Sequence, residues 1–306
     1  MKKIVINMII VGSICSAFII SLSFVKQPTV EINKQRMQLQ EIMKLDSLDY
    51  LFVGSSYVYS GINTRIFDSI QKRVALLSIA TSGPYFQEFL IQDYLEHCTK
   101  APDLVVLNVC LNSFSDISSD AWEFYPLNEF LTIRAIPERY LAGRMNLITY
   151  IKVKREQAFS YSFKSKPVPD LVEKEIKTSV RKNKGFILNK GQFNDSIYMK
   201  TKSLYTHYLE SDFSMKKKHT LFNLLNSLRN RNIKFKIIEI PTFKLGEFYD
   251  LEFKEDYEEV IKEMQDKFGT TVIRYQTKLP DTCFANIDHL NGAGATIYTQ
   301  NLITKL

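Results

Sequence analysis

The chain has 306 residues, 45% of them hydrophobic, and a net charge of +7. That is enough apolar material for one substantial core, and it excludes a disordered or low-complexity chain. Residues 150–218 hold 16 Lys/Arg against 7 Asp/Glu, so this stretch carries +9 and the rest of the chain −2. The aromatics there (Phe159, Tyr161, Phe163, Phe186, Phe193, Tyr198) follow no recognition-module spacing, which argues against a nucleic-acid partner. Such a belt suits a solvated surface, or contact with anionic lipid or polymer.

In chain order, Lys2 and Lys3 precede an apolar run from Ile4 to Val25, long enough to span a bilayer. With the lysines cytoplasmic, the remainder lies outside. The expectation is a signal anchor over residues 1–26 at a bacterial-type cell membrane, or a leader cleaved after the small residues near Ser23. Residues 27–47 then read as a polar, helix-compatible tether. Cys15 falls in the apolar run, and Cys98, Cys110 and Cys283 form an odd trio with no CxxC or HxxxH spacing. Neither a disulfide framework nor a metal site is expected, and Cys98 and Cys110 read as small buried residues.

From residue 48 to 306 the pattern is α/β. Short apolar runs at Tyr50–Val53, Val74–Ala80, Leu104–Val109, Lys234–Pro241 and Thr271–Tyr275 predict about five strands of a parallel sheet covered on both faces. Helical spacing is found over Pro84–His97, Ser214–Asn230, Leu251–Phe268 and Gly292–Leu306, with Asn291 a cap for the last. Alternating elements predict a three-layer α/β/α, flavodoxin-like fold. The region at about 115–230, with Trp122, Pro126, Pro137, Pro167 and Pro169, is too long for a connection and reads as an insertion carrying short helices.

In such a sheet, ligands sit beyond the carboxyl ends of the strands. Gly54-Ser55-Ser56 follows the first strand, Ser82-Gly83 the second, Cys110-Leu111-Asn112 the third, and Asp288-His289 comes after the fifth. A serine, a histidine and several oxyanion donors are what acyl transfer needs. Each has a plainer explanation alone: a turn, a capping histidine, a strand terminator. His97, His207 and His219 read as surface residues. Tyr198, Tyr205 and Tyr208 read as insertion core or as the wall of a carbohydrate groove.

The four positions together resemble the SGNH hydrolase superfamily of GDSL-type esterases and acetyltransferases. The resemblance implies Ser56 as nucleophile, His289 as base, and Ser56 N–H, Gly83 N–H and the Asn112 amide as oxyanion hole. Gly61-Ile62-Asn63 and His289-Leu290-Asn291-Gly292-Ala293 bring the chain closer to membrane-anchored members associated with teichoic-acid D-alanylation and alginate acetylation. It departs from the pattern at Asn286, where an aspartate is expected three residues before His289, and at Cys110 and Ser113. Asp288 is the adjacent alternative to Asn286.

The resemblance thus implies an exported serine O-acyltransferase or esterase that needs no cofactor or metal. It acts on a cell-envelope glycan through an acyl-serine, with a membrane acyl-transfer partner. The competing expectation is a catalytically inactive envelope scaffold or polymer-binding subunit. A phosphate-binding role for the Gly54 loop lacks a P-loop lysine or GxGxxG.

Overall fold

The five apolar runs become the strands of one sheet: β1 (Tyr50–Gly54), β2 (Val74–Ser78), β3 (Leu104–Asn108), β4 (Phe235–Glu239) and β5 (Val272–Arg274). In this computed structural model, which describes residues 30–80, 82–116 and 170–306, every pairing is parallel and the sheet is flanked by helices. β2 and β3 are buried at every position, which is why they read as unbroken apolar runs rather than as alternating ones. The run Lys234–Pro241 narrows to β4, which ends two residues before Pro241.

The strand order is β2-β1-β3-β4-β5. The chain therefore winds outward from β1 in one direction and crosses back to continue in the other, with the reversal between β1 and β3. Pairing of Gly54 with Ser78, and of Val53 with Leu107, brings the carboxyl ends of β1, β2 and β3 level. The crevice beyond such a reversal is where an open α/β sheet receives ligands.

The helices are α1 (Val30–Met43), α2 (Ser56–Gly61), α3 (Thr64–Asp68), α4 (Pro84–His97), α5 (Asp170–Asn183), α6 (Asp195–Tyr205), α7 (Met215–Asn230), α8 (Leu251–Phe268) and α9 (Gly292–Ile303). α4, α7 and α8 match their sequence spacing, with Pro84 in the first turn of α4 and Ser214 and Asp250 accepting backbone N–H groups as caps of α7 and α8. α9 begins where expected, with Asn291 accepting from Ala293 N and Gly294 N, and ends three residues early. α4 packs on α7 and α7 on α8, while α9 packs on α2 and α3. Leu39 and Ile42 of α1 are buried, so the packed body starts within the stretch that reads as a tether.

The segment ahead of β4 closes the sheet. Lys184, just past α5, offers its carbonyl to Leu76 N at 2.9 Å, covering the free edge of β2. Gly185 follows at φ 99°, where a Cβ would lie 2.8 Å from the Leu76 carbonyl. The strap continues with Ile187 N bonded to Tyr59 O, Asn189 O to Gly292 N, and Phe193 N to Phe284 O. It runs past α2 to the loop before α9 and delivers α6 there. The apolar amino-terminal span with Cys15, and the insertion residues Trp122, Pro126, Pro137, Phe159, Tyr161, Phe163, Pro167 and Pro169, lie outside the described residues. Among the described residues no helix is long and apolar enough to cross a membrane.

Candidate active site

β1 ends at Gly54, where a side chain has no room: a Cβ would stand 2.4 Å from Val58 Cγ2 and 3.0 Å from Asn108 Cβ. The tight turn that follows uses Ser55 in extended conformation as the cap of α2, and Ser56 opens the helix, half-buried. Tyr57 comes next and is buried.

His289 sits on a loop that the chain fixes from several sides. Ala285 N bonds His289 O, Asn291 Nδ2 donates to Thr282 O and Phe284 O, and Phe243 N and Lys244 N both donate to Ile287 O. These contacts direct the imidazole across the crevice, and His289 Nε2 lies 2.7 Å from Ser56 Oγ. The Tyr57 ring stacks on the imidazole at 5.1 Å between centroids and 16° between planes.

Two side chains meet the other ring nitrogen. Asn286 Oδ1 lies 3.2 Å from Nδ1 in hydrogen-bonding geometry and also accepts from the backbone N–H groups of Asp288 and His289. Those two amides identify the atom as oxygen, so Nδ1 carries the proton and Nε2 is left to accept from the serine hydroxyl. Asp288 Oδ1 is 2.5 Å from Nδ1, yet off the N–H direction, and it has no hydrogen bond among the described residues. The carboxylate side chain is 4% exposed and the imidazole 18%, so charge beside the ring is little screened by water. The neutral amide thus orients the ring while the carboxylate supplies negative charge.

A line of hydroxyls runs from this carboxylate to β3. Asp288 Oδ2 accepts from Tyr205 OH at 2.5 Å and from Tyr57 OH at 3.4 Å. Asn112, in a 3-10 turn after β3, donates from Nδ2 to Tyr57 OH at 3.0 Å and accepts through Oδ1 from Tyr249 OH. One N–H of its amide is therefore engaged within the protein. Burial first, and then the Asp288 charge, push the phenols of Tyr57 and Tyr205 far above their ordinary range. Burial does the same for Tyr249 and raises the Cys110 thiol to about 11. At neutral pH the phenols are donors, and Cys110 is an inert thiol bonded to Ser113.

Of the residues singled out in sequence, Ser56, Asn286, Asp288 and His289 are together, and Asn112 is joined to them through Tyr57. Gly83 is the buried cap of α4, after β2, the strand beside β1. His97 and His219 are exposed and apart from this cluster. Tyr198 bonds Glu247 and Tyr208 packs on Tyr249, while Tyr205 reaches Asp288, a contact that neither reading of the three tyrosines anticipated. Tyr57 and Tyr249 were missed as well. Only Tyr57 carried a signal, its place next to the serine.

No group of His, Cys, Asp and Glu suited to a metal ion occurs among the described residues. A groove of about 830 Å³ opens at the amino ends of β4 and β5, lined by Arg229, Lys234, Phe235 and Lys305, and includes none of the residues above.

No family model matches the chain, and no curated protein does. A solved structure from Streptococcus pneumonia, provisionally described as a platelet activating factor, aligns over 90% of this chain and 91% of its own, at 12% identity and a TM-score of 0.32. A likeness that low carries no argument about fold or activity.

Proposed function

We propose that the protein is a serine O-acyltransferase or esterase of SGNH type, with the three-layer, flavodoxin-like arrangement that the strand order suits. The observation that carries this reading is the 2.7 Å contact between Ser56 Oγ and His289 Nε2, with Nδ1 held by Asn286 and flanked by Asp288. A hydroxyl becomes a nucleophile when a base removes its proton as it attacks.

In the reaction, Ser56 Oγ bonds to the carbonyl carbon of an ester while Nε2 takes the hydroxyl proton. The carbonyl π pair moves onto oxygen, and Ser56 N–H, Gly83 N–H and the remaining Asn112 N–H are the donors assigned to it. Collapse expels the alcohol, which takes the proton from Nε2, and leaves acyl-Ser56. Water, or a glycan hydroxyl activated by the same nitrogen, then attacks the acyl carbon and regenerates the serine.

The amino-terminal apolar span and the basic stretch over 150–218 suit a membrane-anchored protein facing outward, near an anionic polymer or lipid head groups. A cell-envelope glycan as acceptor and a membrane acyl-transfer partner are what the SGNH resemblance implies. The test is acylation of the full chain by an activated ester, with the adduct located by mass spectrometry. Ser56→Ala is expected to lower turnover by more than about a hundredfold and abolish the adduct. Undiminished turnover in that variant removes the assignment.

A second reading, a catalytically inactive envelope scaffold, is favoured by one observation: the in-line acceptor of His289 Nδ1 is a neutral amide oxygen. It requires glycan binding that survives both Ser56→Ala and His289→Ala, and no adduct at Ser56.

A further inference from the structure

We propose that Tyr205 is a positioning residue of this site: its hydroxyl, brought from the segment between β3 and β4, holds the Asp288 carboxylate against the His289 imidazole. The inference rests on the reading of His289 as the base.

Among the described residues Asp288 pairs with no lysine or arginine. The groups facing it are the Tyr57 phenol from α2, the Tyr205 phenol from α6, and the side chains of Asn286 and His289 on its own loop, with Cys110 and the Tyr249 phenol behind the tyrosines. Oδ1 lies 2.5 Å from Nδ1 without a directed hydrogen bond, so at Oδ1 only an undirected contact with the ring holds the carboxylate. The directed bonds act on Oδ2. Tyr57 is a long donor at 3.4 Å and is itself bound to Asn112, whereas Tyr205 is the close donor, at 2.5 Å.

The phenol is itself held. Its ring packs on Tyr208 and Phe248, each 5.7 Å away. Without this hydroxyl, a buried carboxylate keeps one long hydrogen bond, which is too little to hold its charge. It then either turns toward other donors or takes up a proton, and both remove negative charge from beside Nδ1. The imidazolium that forms as Ser56 attacks is then less stabilised. Docking of α6 is in this way communicated to the base.

The test uses the full chain in detergent and reads each histidine separately, by the pH dependence of deuterium exchange at its Cε1–H followed by mass spectrometry. This measurement needs no catalysis. Wild type is compared with Tyr205→Phe, Asp288→Asn and Tyr94→Phe, the last removing a buried phenol that bonds Leu45 O instead. In Tyr205→Phe the midpoint of His289 is expected to fall by about one pH unit, toward the Asp288→Asn value, with Tyr94→Phe unchanged. In parallel, Ser56 acylation by an activated ester is expected to lose about tenfold in kcat with KM held. An unaltered His289 midpoint in Tyr205→Phe overturns the proposal, whether or not Asp288→Asn moves it. Absence of acylation in wild type instead overturns the functional reading, while the midpoint still decides the role of Tyr205.

Discussion

On the proposed reading, Asn286 and Asp288 divide between them what a single carboxylate does in the serine-protease template, where one aspartate both fixes the histidine tautomer and stabilises the imidazolium. Three N–H groups converge on Asn286 Oδ1, so its loss frees both the loop and the ring. Asn286→Ala is expected to lower Ser56 acylation by about a hundredfold. Asn286→Asp keeps all three acceptor contacts and adds charge. The added charge favours the imidazolium that forms as Ser56 attacks, so Asn286→Asp is expected to retain acylation where Asn286→Ala loses it, which the same assay reads. Full activity in Asn286→Ala would show that the amide orients nothing. The departure at Asn286 was visible in sequence, but its consequence was not. The direction of the Asp288 side chain depends on a loop closed by Phe243, Lys244 and Asn291, and no spacing rule reports that closure. Tyr205 was hidden for the same reason, being 83 positions from Asp288 in the chain.

At the scale of elements, legibility followed burial. Strands covered on both faces are unbroken apolar runs, and long helices carry caps at their ends, so β2, β3, α4, α7 and α8 could be read to within a residue or two. α2 and α3 could not. α2 covers only Ser56–Gly61 and its serine-rich opening reads as a turn, and α3 is a five-residue helix capped by Asn63. The small residues opening α9 make their close approach to a loop carbonyl: a Cβ on Gly294 would stand 2.1 Å from Cys283 O, in the turn that carries the histidine loop. Replacing an interior helix glycine by alanine ordinarily gains about 0.5–1 kcal/mol. Gly294→Ala is expected to reverse that sign, costing about 2 kcal/mol in urea unfolding and displacing His289. Gly269→Ala, at φ 62° with nothing within 4 Å of the added carbon, is the contrasting case, with only about 1 kcal/mol of backbone strain. Equal losses at the two positions would mean that the Cys283 carbonyl yields freely.

Across the whole molecule, the alternation of elements was sufficient to anticipate a parallel sheet, and the order of the motifs was sufficient to place serine and histidine at one edge. The strap that closes β2 was not anticipated, because backbone groups such as Lys184 O leave no mark in side-chain patterns. Neither was the number of phenols enclosed. Burial raises Tyr57, Tyr94, Tyr205, Tyr249, Tyr257 and Tyr298 above the ordinary tyrosine range, and the thiols of Cys98, Cys110 and Cys283 above theirs. A raised pKa in the folded chain means that these groups keep protons which the unfolded chain releases once pH passes about 9 for thiols and about 10 for phenols. Folded protein then binds more protons than unfolded protein, and stability falls as pH rises. Each phenol contributes about 1.4 kcal/mol per pH unit to that fall, so six acting together can exhaust a stability of about 10 kcal/mol within one to two units. The expected outcome is one steep alkaline unfolding step in which phenolate absorbance and loss of circular dichroism coincide. Below that step stability is flat with respect to these groups. Gradual phenolate formation through pH 10, with the dichroism intact, would show that the tyrosines are open to water and that the hydroxyl line from Asn112 to Asp288 is not enclosed.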